Sequence, residues 1–297
     1  MTLAKPQSIL RTVLVLGRVS NLPTVWTNVF AGAALAGASL NLRILLPLAI
    51  AMSLLYVAGM VLNDAFDRGW DAQHRKERPI PAGLISATAV FVLGGVLMAA
   101  GVGIVGTMSG LGMFFSWRPF LATLALTGLI LAYDLHHKKN ALSPLLMGLC
   151  RVAVYITAGW TAGSPQSLLY IGAGLLLCHL IGLSYIAKHE TKAALGRTWP
   201  VLLMLVPIVL GAIVLQISLA GLAVSLAYSV AVAIGVAAAV GLGKRKSNPR
   251  FAVPWLIASI SLLDAMFLSA SGTVALSFMA MGCFALTLLF QRVIPGT

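Results

Sequence analysis

Apolar stretches of about the length that crosses a bilayer recur along the whole chain, and this recurrence limits the fold more than any other feature. The residues are 60% apolar and only 9% charged, which is too little charge to cover a soluble surface and too much apolar surface for disorder. We predict an all-α polytopic membrane protein of ten transmembrane helices, or nine because the last four stretches are weakly separated, in one domain over residues 1–297. The predicted spans are residues 22–40, 44–62, 84–106, 119–134, 141–162, 168–187, 199–217, 219–241, 253–271 and 273–291.

Basic residues are distributed unevenly between the two sides of these spans. The chain has 20 Lys and Arg against 7 Asp and Glu, a net charge of +13, which would also be compatible with nucleic-acid binding. If the N-terminus is cytoplasmic, 17 of the 20 basic residues fall on the cytoplasmic side and only Arg43 and Arg118 on the other. We therefore predict an inner or plasma membrane protein in contact with the lipid bilayer, without a nucleic-acid partner. Its N-terminus and its Asp-rich loop would be cytoplasmic, and residues 1–20 would form an interfacial segment.

Three of the seven acidic residues lie together at the end of the second predicted span, in the segment NDAFDRGWD at 63–71. If the helix continues there, Asn63, Asp67 and Asp71 stand at positions i, i+4 and i+8 on one face, with Asp64 beside them. Carboxylates so close together near a bilayer are unfavourable unless a cation lies among them. Oxygen ligands select a hard cation such as Mg²⁺, which completes its shell with water and substrate phosphate.

A basic segment follows, HRKERPIPAG at 74–83. Its prolines and glycine end the helix and turn the chain into the next span. In one interpretation, Arg75 and Arg78 bind the anion that the metal also holds. In the other, the loop is solvated and its acids pair with Arg68, Arg75 and Arg78.

The stretch NDAFDRGWD followed by RPIPAG resembles the NDxxDxxxD motif and trailing loop of the UbiA superfamily of intramembrane prenyltransferases. The resemblance implies helices around a central cavity and Mg²⁺-dependent transfer of a prenyl group from a polyprenyl diphosphate to a lipophilic, for example aromatic, acceptor. Ionisation of the allylic diphosphate would precede attack of the acceptor on the carbocation. Asn63, Asp67 and Asp71 would then be metal ligands with Asp64 in support, the three aspartates would be the catalytic residues, and Arg78 would hold phosphate.

Two further segments carry the same resemblance. In YDLHHKKN at 133–140, Tyr133, Lys138 and Lys139 match the family's tyrosine and basic loop that contacts the diphosphate, although two lysines at a span end are also ordinary topology markers. In RVSN at 18–21, Asn21 matches an asparagine that faces the cavity. The segments SNLPTVWTN, NDAFDR, LSPLLMGLCR and SYIAKHE more closely resemble a divergent UbiA-like subgroup whose member is called EboC.

The family's second Asp-rich motif is not conserved in this chain. Laying Gly59 over Gly182 puts Asp67 over Glu190, and the positions of Asn63 and Asp71 become Ile186 and Ala194. Two interpretations remain open. In the first, Lys188 replaces the second metal as a point charge on the diphosphate, near Glu190, and one Mg²⁺ remains at the first motif. In the second, donor cleavage is lost, and the fold binds or carries an isoprenoid or another lipid without chemistry.

Two charged residues fall inside predicted spans, Arg151 in the fifth and Asp264 in the ninth. Both are costly in lipid and are expected to face the interior. Either they form a structural pair with each other, or Arg151 lines the central cavity near the diphosphate.

Overall fold

The structure is a computed structural model that describes residues 8–38, 40–114, 116–138, 140–162, 166–189, 199–214, 219–240 and 248–296. Within these ranges the chain is helical, with short turns between helices and no β-strand, so the predicted all-α fold class is confirmed. The thirteen α-helices of the described chain are α1 Ile9–Leu16, α2 Leu22–Leu35, α3 Leu42–His74, α4 Ala87–Gly110, α5 Arg118–His136, α6 Ser143–Gly159, α7 Ser167–Lys188, α8 Trp199–Leu202, α9 Val206–Val214, α10 Leu219–Val240, α11 Pro249–Ala258, α12 Ile260–Ala270 and α13 Val274–Gln291.

Helix ends follow local sequence signals. The side chains of Asn41, Ser86 and Asn248 stand directly before α3, α4 and α11, and each accepts a hydrogen bond from a backbone N–H of the first turn. Gly37 and Gly272 follow α2 and α12 with φ angles of 71° and 75°, a conformation that glycine adopts without strain. The turns therefore lie where glycine or a capping residue interrupts an apolar run.

Seven helical segments of the described chain are long and apolar enough to cross a bilayer. They are α3, α4, α5, α7, Gly221–Val240, Arg250–Ala270 and α13. Each predicted span contains a helix, but α2, α6 and the helical run within 199–214 are shorter than the roughly 20 residues that a span needs. A polytopic helical membrane fold is thus established, and the count of nine or ten spans stays a prediction.

The long helix α3 carries the Asp-rich segment. Its 33 residues extend about 50 Å at 1.5 Å per residue, which is more than the roughly 30 Å of a hydrocarbon core. The helix continues through Asn63, Asp67 and Asp71 to His74, so the condition under which these three residues share one face is met. The following residues turn through Gly83, which has a φ angle of 71°, into α4.

Helix α2 lies at the centre of the bundle, where it packs against α3, α6, α7, α12 and α13. All of its residues except Leu22 and Trp26 are buried, and the buried set includes the polar side chains of Thr24, Thr27 and Asn28. Because protein surrounds α2, its 14 residues can be shorter than a lipid-facing span and can carry polar groups.

The outer helices expose large apolar side chains. Val92 and Val96 of α4, Leu121 of α5 and Phe278 of α13 are each more than half exposed. In water such a surface would be unfavourable, and in a bilayer it faces lipid. The described chain therefore has an apolar exterior at these helices and an interior that is mostly apolar, with a smaller set of buried polar side chains.

We predict that Gly32→Ala destabilises the bundle, because α2 packs directly against the backbone of α6 at Gly32. A Cβ atom at Gly32 would lie 2.7 Å from the carbonyl oxygen of Tyr155, so the backbones would have to separate. Overpacking of this kind costs about 1–3 kcal/mol, and thermal unfolding in detergent should show a lower midpoint. Gly95→Ala in α4 is the control, since nothing lies within 4 Å of its added Cβ. An unchanged or higher midpoint for Gly32→Ala would contradict the prediction.

Candidate active site

A cavity of about 710 Å³ opens among α1, α3, α5, α6, α7 and α11, at the end of the bundle where α3 and α7 finish and α6 and α11 begin. We call this end the basic end. The charged residues of the cavity wall are Arg18, Arg75, Glu77, Arg78, Arg151 and Arg250. Five arginines against one glutamate give the described wall a net charge of +4. Such a wall is suited to a ligand group that carries several negative charges.

A narrow apolar crevice of about 60 Å³ adjoins the cavity among α2, α3, α5 and α6. Its wall shares Tyr56, Met60, Tyr133, Met147 and Arg151 with the cavity, and most of the rest is aliphatic. The two spaces together place a cationic mouth next to an apolar interior. This combination suits the charged head of an amphiphilic ligand together with the first atoms of its tail, because a crevice of about 60 Å³ does not hold a whole hydrocarbon chain.

Two arginines of the mouth converge on one carboxylate. Arg78 Nη1 lies 3.5 Å from Asp64 Oδ2, Arg18 Nη2 lies 3.7 Å from Asp64 Oδ1, and Asp64 is buried. Arg18 reaches this position from a left-handed backbone conformation, with a φ angle of 44°, which is uncommon for a residue other than glycine. Burial lowers the pKa of Arg78, the charge of Arg18 lowers it further, and Asp64 opposes both effects. Asp64 thus holds two like charges side by side.

A second acid of the motif is also paired with bases. Lys138 Nζ lies 2.7 Å from Asp67 Oδ1, and His137 Nε2 lies 3.2 Å from Asp67 Oδ2. Burial lowers the pKa of His137, but its hydrogen bond with Asp67 and the charge of that carboxylate outweigh burial, so the pKa is raised above its usual value. Lys138 also lies 4.8 Å from the ring centroid of Trp70, which gives it a second favourable contact.

Asn63 and Asp71 have different surroundings, although both are buried. Asn63 Nδ2 donates to Asp134 Oδ1 at 3.2 Å, and Asp134 Oδ2 is buried without a hydrogen-bond partner. Asp71 has no salt bridge among the described residues, and its main-chain oxygen accepts from the backbone N–H of Arg75 at 2.7 Å. The four motif residues therefore have separate partners rather than a common one.

The donor atoms of the motif suit Mg²⁺ chemically, and in this structure Asn63, Asp64 and Asp67 are each engaged by another side chain. No group of three or more His, Cys, Asp or Glu side chains converges in the part of the chain that the structure describes. Asn63, Asp64, Asp67 and Asp71 are also absent from the described cavity wall. Mg²⁺ needs only one or two carboxylates when water and substrate phosphate complete its shell, so the magnesium site stays a prediction.

Other residues singled out in the sequence do line the cavity. Asn21 is on the wall, where its Nδ2 donates to Tyr56 Oη at 3.1 Å and to the carbonyl oxygen of Gly296 at 2.9 Å, while its Oδ1 accepts from Gln291. Tyr133 is on the wall as well. The residues predicted to bind the substrate that reach this space are Asn21, Arg75, Arg78, Tyr133 and Arg151.

The remaining predicted residues are not brought into the cavity. Lys188 Nζ donates to the carbonyl oxygen of Asn140 at 2.5 Å and to Ser143 Oγ at 3.2 Å, so it holds the start of α6 instead of lining the wall. Lys138 is engaged by Asp67. Lys139 and Glu190 lie outside the described residues.

Arg151 and Asp264 do not contact each other directly, so the predicted structural pair is wrong as a salt bridge. Asn28 lies between them: its Oδ1 accepts from Arg151 Nη1 at 2.9 Å, and its Nδ2 donates to Asp264 Oδ2 at 2.8 Å. A direct salt bridge does not form because the side chain of Asn28, on α2, lies between the guanidinium and the carboxylate. Arg151 lines both the cavity and the crevice.

Sequence reasoning assigned no site role to Arg18, Arg250, Asp134 or Asn28. Loop charge alone marks Arg18 and Arg250 as topology signals, whereas Arg18 lies in the turn between α1 and α2, Arg250 lies in the first turn of α11, and both line the cavity. Asp134 directly follows Tyr133 in a segment already singled out, which was a usable signal. The role of Asn28 depends on contacts with α6 and α12 far along the chain, which the sequence does not reveal.

The cationic mouth, the apolar crevice and the acidic helix end correspond to a known family. A model of the UbiA prenyltransferase family matches residues 24–250. The chain belongs to that family. The match covers the Asp-rich end of α3, the basic loop after α5 and helix α7.

Individual relatives of this UbiA-family chain agree. An 85-residue segment is 38% identical to a 4-hydroxybenzoate octaprenyltransferase of Idiomarina loihiensis, over 28% of this chain and 29% of that protein. A solved digeranylgeranylglyceryl phosphate synthase structure has a TM-score of 0.54 at 16% identity, covering 95% of this chain and 96% of the other. The apo structure of a UbiA homologue from Aeropyrum pernix K1 has a TM-score of 0.50 at 17% identity, covering 94% and 96%.

The solved structures and the curated relative support different conclusions about this chain. At 16% and 17% identity the solved structures establish the fold alone. The aligned segment spans less than a third of the curated relative, so the relative's activity is not transferred to this chain as a finding. The UbiA-family assignment and the apolar helices together make the chain an integral membrane protein. The EboC-like subgroup stays a prediction.

We predict that Arg18→Gln and Arg78→Gln each weaken the binding of inorganic pyrophosphate. Each substitution removes a charged donor worth about 1.5–3 kcal/mol, which corresponds to roughly 10-fold to 100-fold in affinity. Isothermal titration calorimetry on the protein in nanodiscs measures this. Arg43→Gln is the matched control, because Arg43 is exposed at the opposite end of α3. Equal affinities in all three variants would show that the arginine mouth does not bind the anion.

We also predict a pH-dependent contribution from the His137–Asp67 pair. Because the folded-state pKa of His137 is raised, the pair stabilises the protein fully below the ordinary imidazole pKa and loses its effect as the pH rises through the raised value. The difference in unfolding midpoint between wild type and His137→Gln should therefore be largest in acid and shrink towards alkaline pH. His74→Gln, at the exposed end of α3, should show no such trend. A difference that stays constant with pH would refute the charged pair.

Proposed function

We propose that this protein transfers a prenyl group from an isoprenyl diphosphate to a lipophilic acceptor within the membrane. The observation that carries the proposal is the junction of an arginine-lined mouth with an apolar crevice inside a helical bundle. Membership of the UbiA prenyltransferase family supports it. A polyprenyl diphosphate has the same two-part character as the site, with a multiply charged head and a hydrocarbon tail.

The charge of the mouth is suited to the diphosphate. Guanidinium groups bind phosphate oxygens with several parallel hydrogen bonds, and Arg18 and Arg78 already stand side by side on Asp64. Asp64 offsets only one of these two charges. The remaining positive charge, with Arg75 and Arg250 on the same wall, favours a bound anion.

The chemistry follows from stabilising that anion as it leaves. The bond between C1 of the allylic group and the diphosphate oxygen breaks, and the electron pair departs with the diphosphate. Arginines placed before the reaction stabilise the developing negative charge without reorganisation. The acceptor donates an electron pair to C1 and loses a proton. Buried apolar side chains around the crevice, including Leu55 and Leu126, keep water from capturing the carbocation.

The identity of the acceptor and the dependence on Mg²⁺ are proposals separate from prenyl transfer itself. The 4-hydroxybenzoate octaprenyltransferase among the relatives makes an aromatic acceptor a reasonable member of the test panel. The dependence on Mg²⁺ that the first motif predicts is to be measured directly. The excess of basic loops makes the basic end the cytoplasmic one in this proposal.

A non-catalytic isoprenoid or lipid carrier on the same fold is the alternative. It is favoured by the pairing of Asp64 and Asp67 with bases and by the reduction of the second acidic motif to Glu190 in the sequence. A carrier would need the cationic mouth and the crevice but no bond cleavage.

The deciding experiment measures pyrophosphate release. Protein in nanodiscs receives geranyl, farnesyl or geranylgeranyl diphosphate, with a panel of lipophilic acceptors and with either Mg²⁺ or EDTA. We expect release and a prenylated product, reduced about 100-fold to 1,000-fold in Arg78→Gln and retained in Arg43→Gln. Tight donor binding without release under every condition would reject transfer in favour of the carrier.

A further inference from the structure

The apolar crevice beside the cavity has a short and similar depth along three of its helices. On each of them seven or eight residues separate the mouth shared with the cavity from the deepest wall residue: Met60 from Met52 on α3, Tyr133 from Leu126 on α5, and Met147 from Val154 on α6. At about 1.5 Å per residue, the crevice is roughly 10–12 Å deep. Met52, Leu126 and Val154, which we call the floor, are all buried.

The sides of the crevice are formed by helices that contact one another. The wall residues come from α2, α3, α5 and α6, and these helices form a ring in which each packs against the next. Glycines make two of these contacts close. A Cβ atom at Gly59 would lie 3.0 Å from Ile130 Cγ2, and one at Gly32 would lie 2.7 Å from the carbonyl oxygen of Tyr155. This packing favours a pocket that is entered from the cavity and ends at the floor.

The depth of the pocket is held by contacts of the backbone and the core. Tyr155 directly follows Val154, and its hydroxyl donates to the buried carboxylate of Asp264, so α6 is joined to α12 beside the floor. One turn beyond Met52 on α3, Leu48 is completely buried in the core. A deeper pocket would therefore require the helices themselves to separate.

The width of the pocket depends on more adaptable side chains. The crevice is only about 60 Å³, but Met60 and Met147 line it near the mouth. Methionine side chains are unbranched and adapt their shape to a neighbouring group. A tail can thus widen the crevice by moving these side chains, whereas it cannot lengthen the crevice in the same way.

The length of a prenyl tail can be compared with this depth. An extended covalent chain advances about 1.2 Å per bond, so the main chains of geranyl, farnesyl and geranylgeranyl groups extend roughly 8, 13 and 18 Å from C1. If the diphosphate lies at the arginines of the wall, C1 lies at the mouth of the crevice. A geranyl tail then ends above the floor, and a geranylgeranyl tail extends well past it.

We infer that Met52, Leu126 and Val154 limit the length of the prenyl group, so that the protein takes a donor as short as geranyl diphosphate in preference to longer ones. The inference rests on the proposed function, because it assigns the crevice to the tail of the donor. The floor residues contact the far end of the tail and determine specificity, and they take no part in breaking the bond to the diphosphate.

The test measures binding of unreactive thiolodiphosphate analogues, so it does not require turnover. Protein in nanodiscs is titrated with inorganic pyrophosphate and with the geranyl, farnesyl and geranylgeranyl analogues, and partitioning into lipid is subtracted with empty nanodiscs. We expect the geranyl analogue to bind at least about 10-fold more tightly than inorganic pyrophosphate, because its tail is buried in the crevice. It should also bind about 10-fold more tightly than the geranylgeranyl analogue.

Smaller floor residues should shift this preference towards longer tails. Met52→Ala and Leu126→Ala should each raise the affinity for the geranylgeranyl analogue relative to the geranyl analogue about 10-fold, with the affinity for inorganic pyrophosphate unchanged. The two residues lie on different helices, so either variant suffices if the other does not fold. Met98→Ala is the matched control, because Met98 is buried in α4 outside the crevice wall. Val154→Phe should act in the opposite direction and weaken binding of the geranyl analogue.

Three results would overturn the inference. They are a wild-type protein that binds the geranylgeranyl analogue as tightly as the geranyl analogue, a preference unchanged in both alanine variants of the floor, or an equal change in Met98→Ala. Failure of the proposed function gives other patterns. A length preference without pyrophosphate release rejects transfer and leaves the inference standing for a carrier. If no prenyl analogue binds more tightly than inorganic pyrophosphate, the crevice does not hold the tail and both proposals fail.

Discussion

A polar group inside a membrane bundle must be satisfied by the protein, because lipid offers no hydrogen bonds. This constraint explains the central helix. Helix α2 is too short to be a lipid-facing span, yet it carries Thr24, Thr27 and Asn28 in its buried interior. Their partners on α6 and α12 fix the distances between three helices. The same bonds that stabilise the bundle therefore also determine where Arg151 stands in the cavity.

A second balance governs the basic end, where acids and bases neutralise one another incompletely. Asp64 is shared by Arg18 and Arg78, and Asp67 is shared by His137 and Lys138. Each carboxylate thus holds two basic groups in place. The acids lie behind the cavity wall and the arginines form it, so the surplus positive charge faces the open space. An anionic ligand would neutralise the positive charge of the cavity wall that these acids leave uncompensated.

Local features were predictable from the sequence and long-range contacts were not. The shared face of Asn63, Asp67 and Asp71 followed from their spacing once the helix was assumed to continue, because helical periodicity is a local property. The inward position of Arg151 followed from the cost of charge in lipid. The insertion of Asn28 between Arg151 and Asp264, residues that belong to different helices, depends on how these helices pack. The pairing of Asp67 with Lys138 likewise joins the ends of α3 and α5, and charge counting alone offered several equivalent partners.

The cavity wall brings together the first and last helices of the described chain. Asn21 bonds to Gln291 and to Gly296, residues 270 and 275 positions later in the sequence. Because the chain is synthesised from its N-terminus, Asn21 emerges long before Gln291 and Gly296. The part of the wall that these three residues form is therefore completed only after α13 has been synthesised. Arg18, Arg75, Arg78 and the Asp-rich end of α3 are synthesised much earlier than this part of the wall. A growing chain therefore carries these charged groups before α13 can close the cavity beside them.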